Sequence, residues 1–262
     1  MIGFGRRWDP TGKLAVVTGA SSGIGQSIAM QLVSRDCHVI AVARRQQRLD
    51  ELAESYSDRF TPVVGDITSE STRQRIVDTV GSHGRSLDLL VNNAGVGAIG
   101  PFESASPERL RGVMEVNFFA VAELTRSLLP MLRRSSDAVI CNVSSVLGHC
   151  AVPDKSEYCA SKFALHGWSD SLRAELADQS IGVTLVSPST TRSEFFDVLV
   201  DSGDAVSKSL GSWPPQRVAR AAIKAIERRR SEVILSVGGK LLVYADRLCP
   251  PLMARVLRKR KR

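Results

Sequence analysis

A single-domain α/β fold with a doubly wound parallel β-sheet is predicted by three features of the sequence. Short apolar runs of β type alternate with longer segments of helical period. The runs are continuously apolar, as strands covered on both faces are. The chain, at 262 residues, is long enough to bury one sizeable core. Parallel neighbours need crossover connections, and the crossover helices cover the faces of the sheet.

Taken in order, the runs are Leu14–Val17, His38–Ala43, Thr61–Val64, Leu87–Val91, Ala138–Val143, Val183–Val186 and Glu232–Leu235. A helical stripe through Ile28, Ala29, Leu32 and Val33 follows the first, and one through Leu49, Leu52 and Ala53 follows the second. Ligands in such folds sit beyond the C-terminal ends of the strands, so chemistry is expected in the loops after Val17, Val42, Val91, Val143 and Val186. No repeat, linker or low-complexity stretch precedes the basic tail. Residues 1–238 are therefore read as one domain with a substrate loop at 189–213, and residues 239–262 as an apolar and basic extension.

Composition narrows the function classes. Hydrophobic residues at 43% and charged residues at 24% describe a globular chain rather than a disordered one. The net charge is +8, but six of those charges come from Arg255, Arg258, Lys259, Arg260, Lys261 and Arg262. The body is thus nearly balanced, and no nucleic-acid face is expected on it. Five cysteines, Cys37, Cys141, Cys150, Cys159 and Cys249, have no metal-ligand spacing and read as reduced thiols. Residues Met1 to Lys13 lack the apolar core of a signal peptide, so a cytoplasmic protein is expected. His149, His166 and Cys159 read as structural, and no metal is expected.

The loop after the first run, Thr18 to Gly25, reads TGASSGIG and opens into the helix. Gly19, Gly23 and Gly25 allow a tight turn and close backbone approach, and the helix N-terminus favours a phosphate, which makes the fold Rossmann-type. The second run ends Val42-Ala43-Arg44-Arg45 without an acid. A carboxylate there would bind the ribose 2′-OH of NAD, whereas a guanidinium suits the 2′-phosphate of NADP, so NADP(H) is the expected cofactor, with NADPH preferred over NADH.

Tyr158 and Lys162 are four residues apart in a helical segment and share one face. A phenol of pKa about 10 needs help to exchange protons near neutrality, and a neighbouring ammonium favours its ionised form. Together with Asn92-Asn93-Ala94-Gly95, Asn117 and Ser144-Ser145, each near a strand end, the glycine loop and the Tyr158-Cys159-Ala160-Ser161-Lys162 segment resemble the short-chain dehydrogenase/reductase family over roughly residues 12 to 236.

The resemblance implies an oxidoreductase that moves hydride between nicotinamide and a carbonyl or secondary alcohol. Tyr158 would be the proton donor and acceptor, and Lys162 would hold the nicotinamide ribose while lowering the Tyr158 pKa. Ser145, thirteen residues before Tyr158, would bond the substrate oxygen while Ser144 turns inward, and Asn117 would anchor a water chain. The cofactor contacts would be Gly19, Ser21, Ser22, Gly23, Ile24 and Gly25 on the pyrophosphate, Arg44 and Arg45 on the 2′-phosphate, and Asp66 with Ile67 at the adenine. Asn92, Asn93, Ala94 and Gly95 would back the cofactor, Asn92 equally well stabilising the central strands; Pro188, Thr191 and Ser193 would border the nicotinamide. Ser189 stands where the family usually has glycine, so the loop path after Pro188 is open.

Phe195, Phe196, Val198, Leu199 and Val200 suggest either a lid for an apolar substrate or a helix packed on the domain. The extension, with Leu241, Leu242, Val243, Leu248, Leu252, Met253, Val256 and Leu257, is too interrupted to span a bilayer. It suits peripheral contact with an anionic inner membrane face, or packing on the domain or a sister subunit in a homo-oligomer. The alternative function is a non-catalytic NADP(H)-binding sensor or scaffold.

Overall fold

The computed structural model describes residues 7–191 and 212–259. The first half builds β1 (Leu14–Thr18), α1 (Gly23–Val33), β2 (His38–Ala43), α2 (Gln46–Ser55), β3 (Phe60–Val64), α3 (Glu70–Ser82) and β4 (Leu89–Asn92). There follow α4 (Pro107–Met114), a π-helical segment (Glu115–Phe119), α5 (Ala120–Leu132), β5 (Val139–Val143), α6 (Ser156–Glu175) and β6 (Gly182–Ser187). The chain closes with α7 (Pro215–Glu227), β7 (Glu232–Ile234), α8 (Val237–Leu248) and α9 (Pro250–Lys259).

All seven strands lie in one parallel sheet of order β3-β2-β1-β4-β5-β6-β7, as the alternation of runs and helices predicts. The order reverses between β1 and β4, which opens a crevice at their C-terminal ends. Pro62 lies in β3, the edge strand, where a missing N–H on the outer side costs no ladder bond.

The period of two along each strand divides the core. Ala15, Val17, Val39 and Ala41 face a layer with Ile28, Leu32, Ile223 and Ile226, whereas Leu14, Val16, Ile40 and Val42 face one with Ile76, Leu124, Leu128 and Leu172. Each fully buried Leu or Ile contributes about 1.5–3 kcal/mol, so the sheet is a stiff platform for what its loops carry. Two predicted runs, from Leu87 and from Ala138, begin slightly before the observed strands, though Asp88 still pairs through its backbone with Leu14 and Val139.

The boundary drawn after residue 238 falls inside α8. Ser236 accepts a hydrogen bond from the Gly239 amide at 3.0 Å, and a Cβ on Gly239 would lie 2.9 Å from Val146 Cγ1. The start of the extension therefore packs against the turn that follows Ser145. Among the described residues no helix is long and apolar enough to cross a membrane.

Candidate active site

The crevice is closed by a clamp between β1 and β4. Thr18 Oγ1 accepts from the amides of Asn93 and Ala94, both at 3.0 Å, and donates to the Val91 carbonyl at 3.3 Å. Asn93 Nδ2 returns a bond to the Thr18 carbonyl at 2.9 Å. Gly19 and Gly23 take φ of +66 and +58, a region that disfavours side chains. A Cβ on Gly25 would lie 2.3 Å from both the Gly19 carbonyl oxygen and Asn93 Nδ2, so only glycine allows helix α1 to approach this closely.

At the end of β2 the two arginines part company. Arg45, at the N-cap of α2, donates to Ser21 Oγ at 3.2 Å and to Ser22 Oγ, and so reaches across to the glycine turn. Arg44 lies 3.7 Å from Asp66 Oδ2. The other oxygen of Asp66 accepts from the Thr68 amide and hydroxyl at 3.0 and 2.9 Å, which fixes the loop that also carries Ile67.

The proposed acid/base group assembles from three elements. Ser145 follows β5, its hydroxyl accepts from the Leu147 amide at 3.1 Å, and it also hydrogen-bonds with Tyr158. Ser144 is buried, its hydroxyl 3.5 Å from the Lys162 carbonyl. Lys162 lies one helical turn past Tyr158 on α6, with its ammonium 5.7 Å from the phenol ring centroid and donating to the Val143 carbonyl at 3.1 Å. Gly95 lines the same space, since a Cβ there would be 3.7 Å from Lys162 Nζ and 3.1 Å from Asn117 Oδ1.

One electrostatic expectation is reversed. Burial pushes the Tyr158 phenol up to about 12, and its bond with Ser145 only moderates that rise. Burial likewise lowers Lys162 to about 8. Desolvation, which favours the neutral form of both groups, outweighs the attraction that the spacing alone suggests. Tyr158 is therefore protonated at neutral pH, as a proton donor must be.

A family model described as short chain dehydrogenase matches residues 13–202. The chain belongs to the short-chain dehydrogenase family. A dehydrogenase/reductase SDR family protein 7-like of Drosophila melanogaster is 34% identical, over 95% of this chain and 80% of its own length. A short-chain dehydrogenase of Burkholderia cenocepacia, solved in complex with NADP, has a TM-score of 0.82 and 28% identity and covers 95% of this chain and 99% of its own. Another from Burkholderia phymatum, in complex with NAD, has a TM-score of 0.85, covers 94% of this chain and 96% of its own and, at 24% identity, shares the fold. This short-chain dehydrogenase is thus one of a family of NAD(P)-dependent oxidoreductases that interconvert alcohols and carbonyls.

In this dehydrogenase Asn117 occupies the π-helical segment, where one extra residue per turn aims the side chain inward. Its amide donates to the Val96 carbonyl at 3.0 Å and to Ser161 Oγ at 2.9 Å, and its Oδ1 accepts from the Val96 amide at 2.9 Å. Asn92 turns away from the crevice and donates to Thr125 Oγ1 at 3.1 Å and Asn142 Oδ1 at 2.8 Å, so its side chain ties strands to helices rather than backing a cofactor. Pro188 accepts from the Val146 amide at 2.9 Å, and Thr191 bridges Trp213. Ser189, in the glycine position, has no positive φ, and its hydroxyl lies 2.8 Å from that of Ser236. Ser193 and the apolar stretch Phe195–Val200 lie outside the described residues.

Sequence reasoning missed the Thr18 clamp and the buried ion pair of Arg109 with Glu157. The latter, at 2.7 Å with side chains 3% and 2% exposed, sits beside Tyr158 and joins α4 to the start of α6. Arg109 also donates to the carbonyls of Gly100 and Pro101, at 3.4 and 3.3 Å. Neither carried a spacing signal, because the partners of the ion pair are 48 residues apart and those of the clamp 73 to 76 apart.

Proposed function

We propose that this short-chain dehydrogenase uses NADP(H), with NADPH preferred over NADH, and acts on the carbonyl or secondary alcohol of an apolar substrate. The observation that carries the cofactor preference is the reach of Arg45 to Ser21 and Ser22, beside a β2 end that carries Arg44 and no carboxylate. One guanidinium against the glycine turn, a second at the end of β2 and a turn that a single Cβ would fill fit a phosphorylated ribose and a pyrophosphate.

When bound, the nicotinamide supplies or takes the hydride. The chain's own residues do the rest. Ser145 positions the substrate oxygen against the phenol, and Tyr158 gives its proton to that oxygen in reduction and recovers it in oxidation. Lys162, pinned by the Val143 carbonyl, presents its remaining donors to the ribose side of the site. Asn117 holds the Val96 backbone and Ser161 in place, which keeps the α6 face and the β4 loop in register.

A carbonyl panel run with NADPH and with NADH on the parent, Tyr158→Phe and Arg44→Asp tests this. NADPH should be preferred by the parent and the preference flattened or reversed by Arg44→Asp; turnover should collapse in Tyr158→Phe with NADPH binding nearly intact. Equal use of both cofactors by the parent overturns the preference.

A second reading concerns the C-terminal helices. Leu241, Tyr244 and Leu248 on α8 and Leu252 and Val256 on α9 are exposed, and Lys240, Arg247, Arg255 and Arg258 lie on the same helices. Apolar and basic side chains together support peripheral attachment to an anionic membrane. Salt-sensitive cosedimentation with phosphatidylserine vesicles, lost on deletion of residues 250–262, is the expected result; equal binding to neutral vesicles overturns it.

A further inference from the structure

Three side chains of metal-ligating type that come from separate elements converge. His149 lies just past the turn that follows Ser145, His166 is one helical turn beyond Lys162 on α6, and Glu232 opens β7. One ligand atom from each lies within 4.8 Å of the others. We propose that this cluster is a binding site for a divalent cation of the zinc class.

The donor set is the first argument. Two imidazoles and a carboxylate are the borderline nitrogen and oxygen ligands that such a cation takes, with bonds of about 2.0–2.2 Å.

The hydrogen bonding is the second. His166 Nδ1 lies 3.1 Å from the Gly148 carbonyl, which can only accept, so Nδ1 carries the proton. Nε2, on the other side of the ring, faces Asp170 Oδ2 at 3.4 Å. A divalent cation placed between these two atoms would be held by both. An imidazole held by a backbone carbonyl is also the orientation that metal-bound histidines show.

Burial is the third. The His149 side chain is fully buried, and its Nε2 is 2.7 Å from Glu232 Oε1 and 3.0 Å from Ser187 Oγ. Glu232 Oε1 is itself buried, yet no hydrogen bond of good geometry satisfies it. A buried carboxylate oxygen set against an imidazole nitrogen is placed to share a metal ion with it.

Arg247 opposes the ion. Its Nη2 lies 3.3 Å from His149 Nδ1, where it holds the ring in the tautomer with the proton on Nε2. Because Arg247 is on an exposed face of α8, it can swing away, and the guanidinium then acts as a competitor for the site. The bound ion would join the serine turn, the helix of Tyr158 and Lys162, and the edge strand β7, so it should stabilise the native fold by mass action.

The test uses the full-length chain without a histidine tag, stripped of metal and titrated with Zn(II) by calorimetry and with Co(II) by visible absorption. One ion per chain, ligand-field bands with Co(II) and a raised Tm are expected. His166→Gln and Glu232→Gln, which spare the buried His149, should each weaken binding by roughly tenfold or more and remove the bands. Arg247→Ala should bind more tightly than the parent. No saturable binding by the parent, or unchanged affinity in both glutamine variants, overturns the site. None of these readouts uses turnover, so they succeed or fail independently of the NADP(H) reading.

Discussion

At one end of the crevice Arg44 and Arg45 are exposed at the surface, with the Arg44 side chain 58% exposed and 3.7 Å from the Asp66 carboxylate. At the other end Lys162 and Ser145 are buried, and both are anchored to backbone groups. The same distinction runs through their electrostatics: burial shifts Tyr158 up to about 12 and Lys162 down to about 8. The exposed end can exchange side chains at little cost to the fold, which makes it the place to test the proposed cofactor preference. The buried end cannot, because its chemistry and its stability rest on the same contacts.

The sharpest way to separate the two ends is Tyr158→Phe, expected to reduce kcat by about a hundred- to ten-thousand-fold while the Kd for NADPH hardly moves. Comparable loss in cofactor binding would show that the buried end is not functionally distinct. Next in size is Arg109→Met, which leaves Glu157 buried and unpaired beside Tyr158; a loss of about 3–5 kcal/mol in stability is expected from denaturant unfolding. A variant as stable as the parent would break the link between catalytic face and fold.

At the exposed end, Arg45→Met should cost roughly tenfold in NADPH affinity, as the loss of one charged hydrogen bond would. Its Tm should match that of the parent, and NADH use should be unchanged; equal weakening toward both cofactors would assign Arg45 to the turn instead.

The buried end also carries a pH dependence. Lys162 has a folded pKa of about 8, below its unfolded value of 10.5, so the unfolded chain binds more protons between these limits. Stability from this group is therefore gained as pH rises from 8 toward 10.5. Lys162→Met should flatten that rise in Tm, and identical profiles for parent and variant would contradict a desolvated ammonium.

Much of this molecule was legible because the signals are local. The glycine turn, the double arginine after β2 and the four-residue spacing of Tyr158 and Lys162 are each written within one short segment. The strand positions followed from apolar runs whose two faces are both covered, and the structure places these motifs at the strand ends where a parallel sheet collects them. The inward Ser144 and the neighbouring Ser145 were implied by the family resemblance, which places a serine thirteen residues before the tyrosine.

The amino-acid order alone settled the layer architecture and the family, since periodicity and contiguous motifs act over a few residues. Only the tertiary structure decided that Asn92 braces the sheet, that Arg45 rather than Arg44 reaches the glycine turn, and that a π-helical segment carries Asn117. It alone brought His149, His166 and Glu232 together. The physical reason is the same in each case: burial and hydrogen-bond partners are set by residues distant along the chain, and no local pattern encodes which of them will meet.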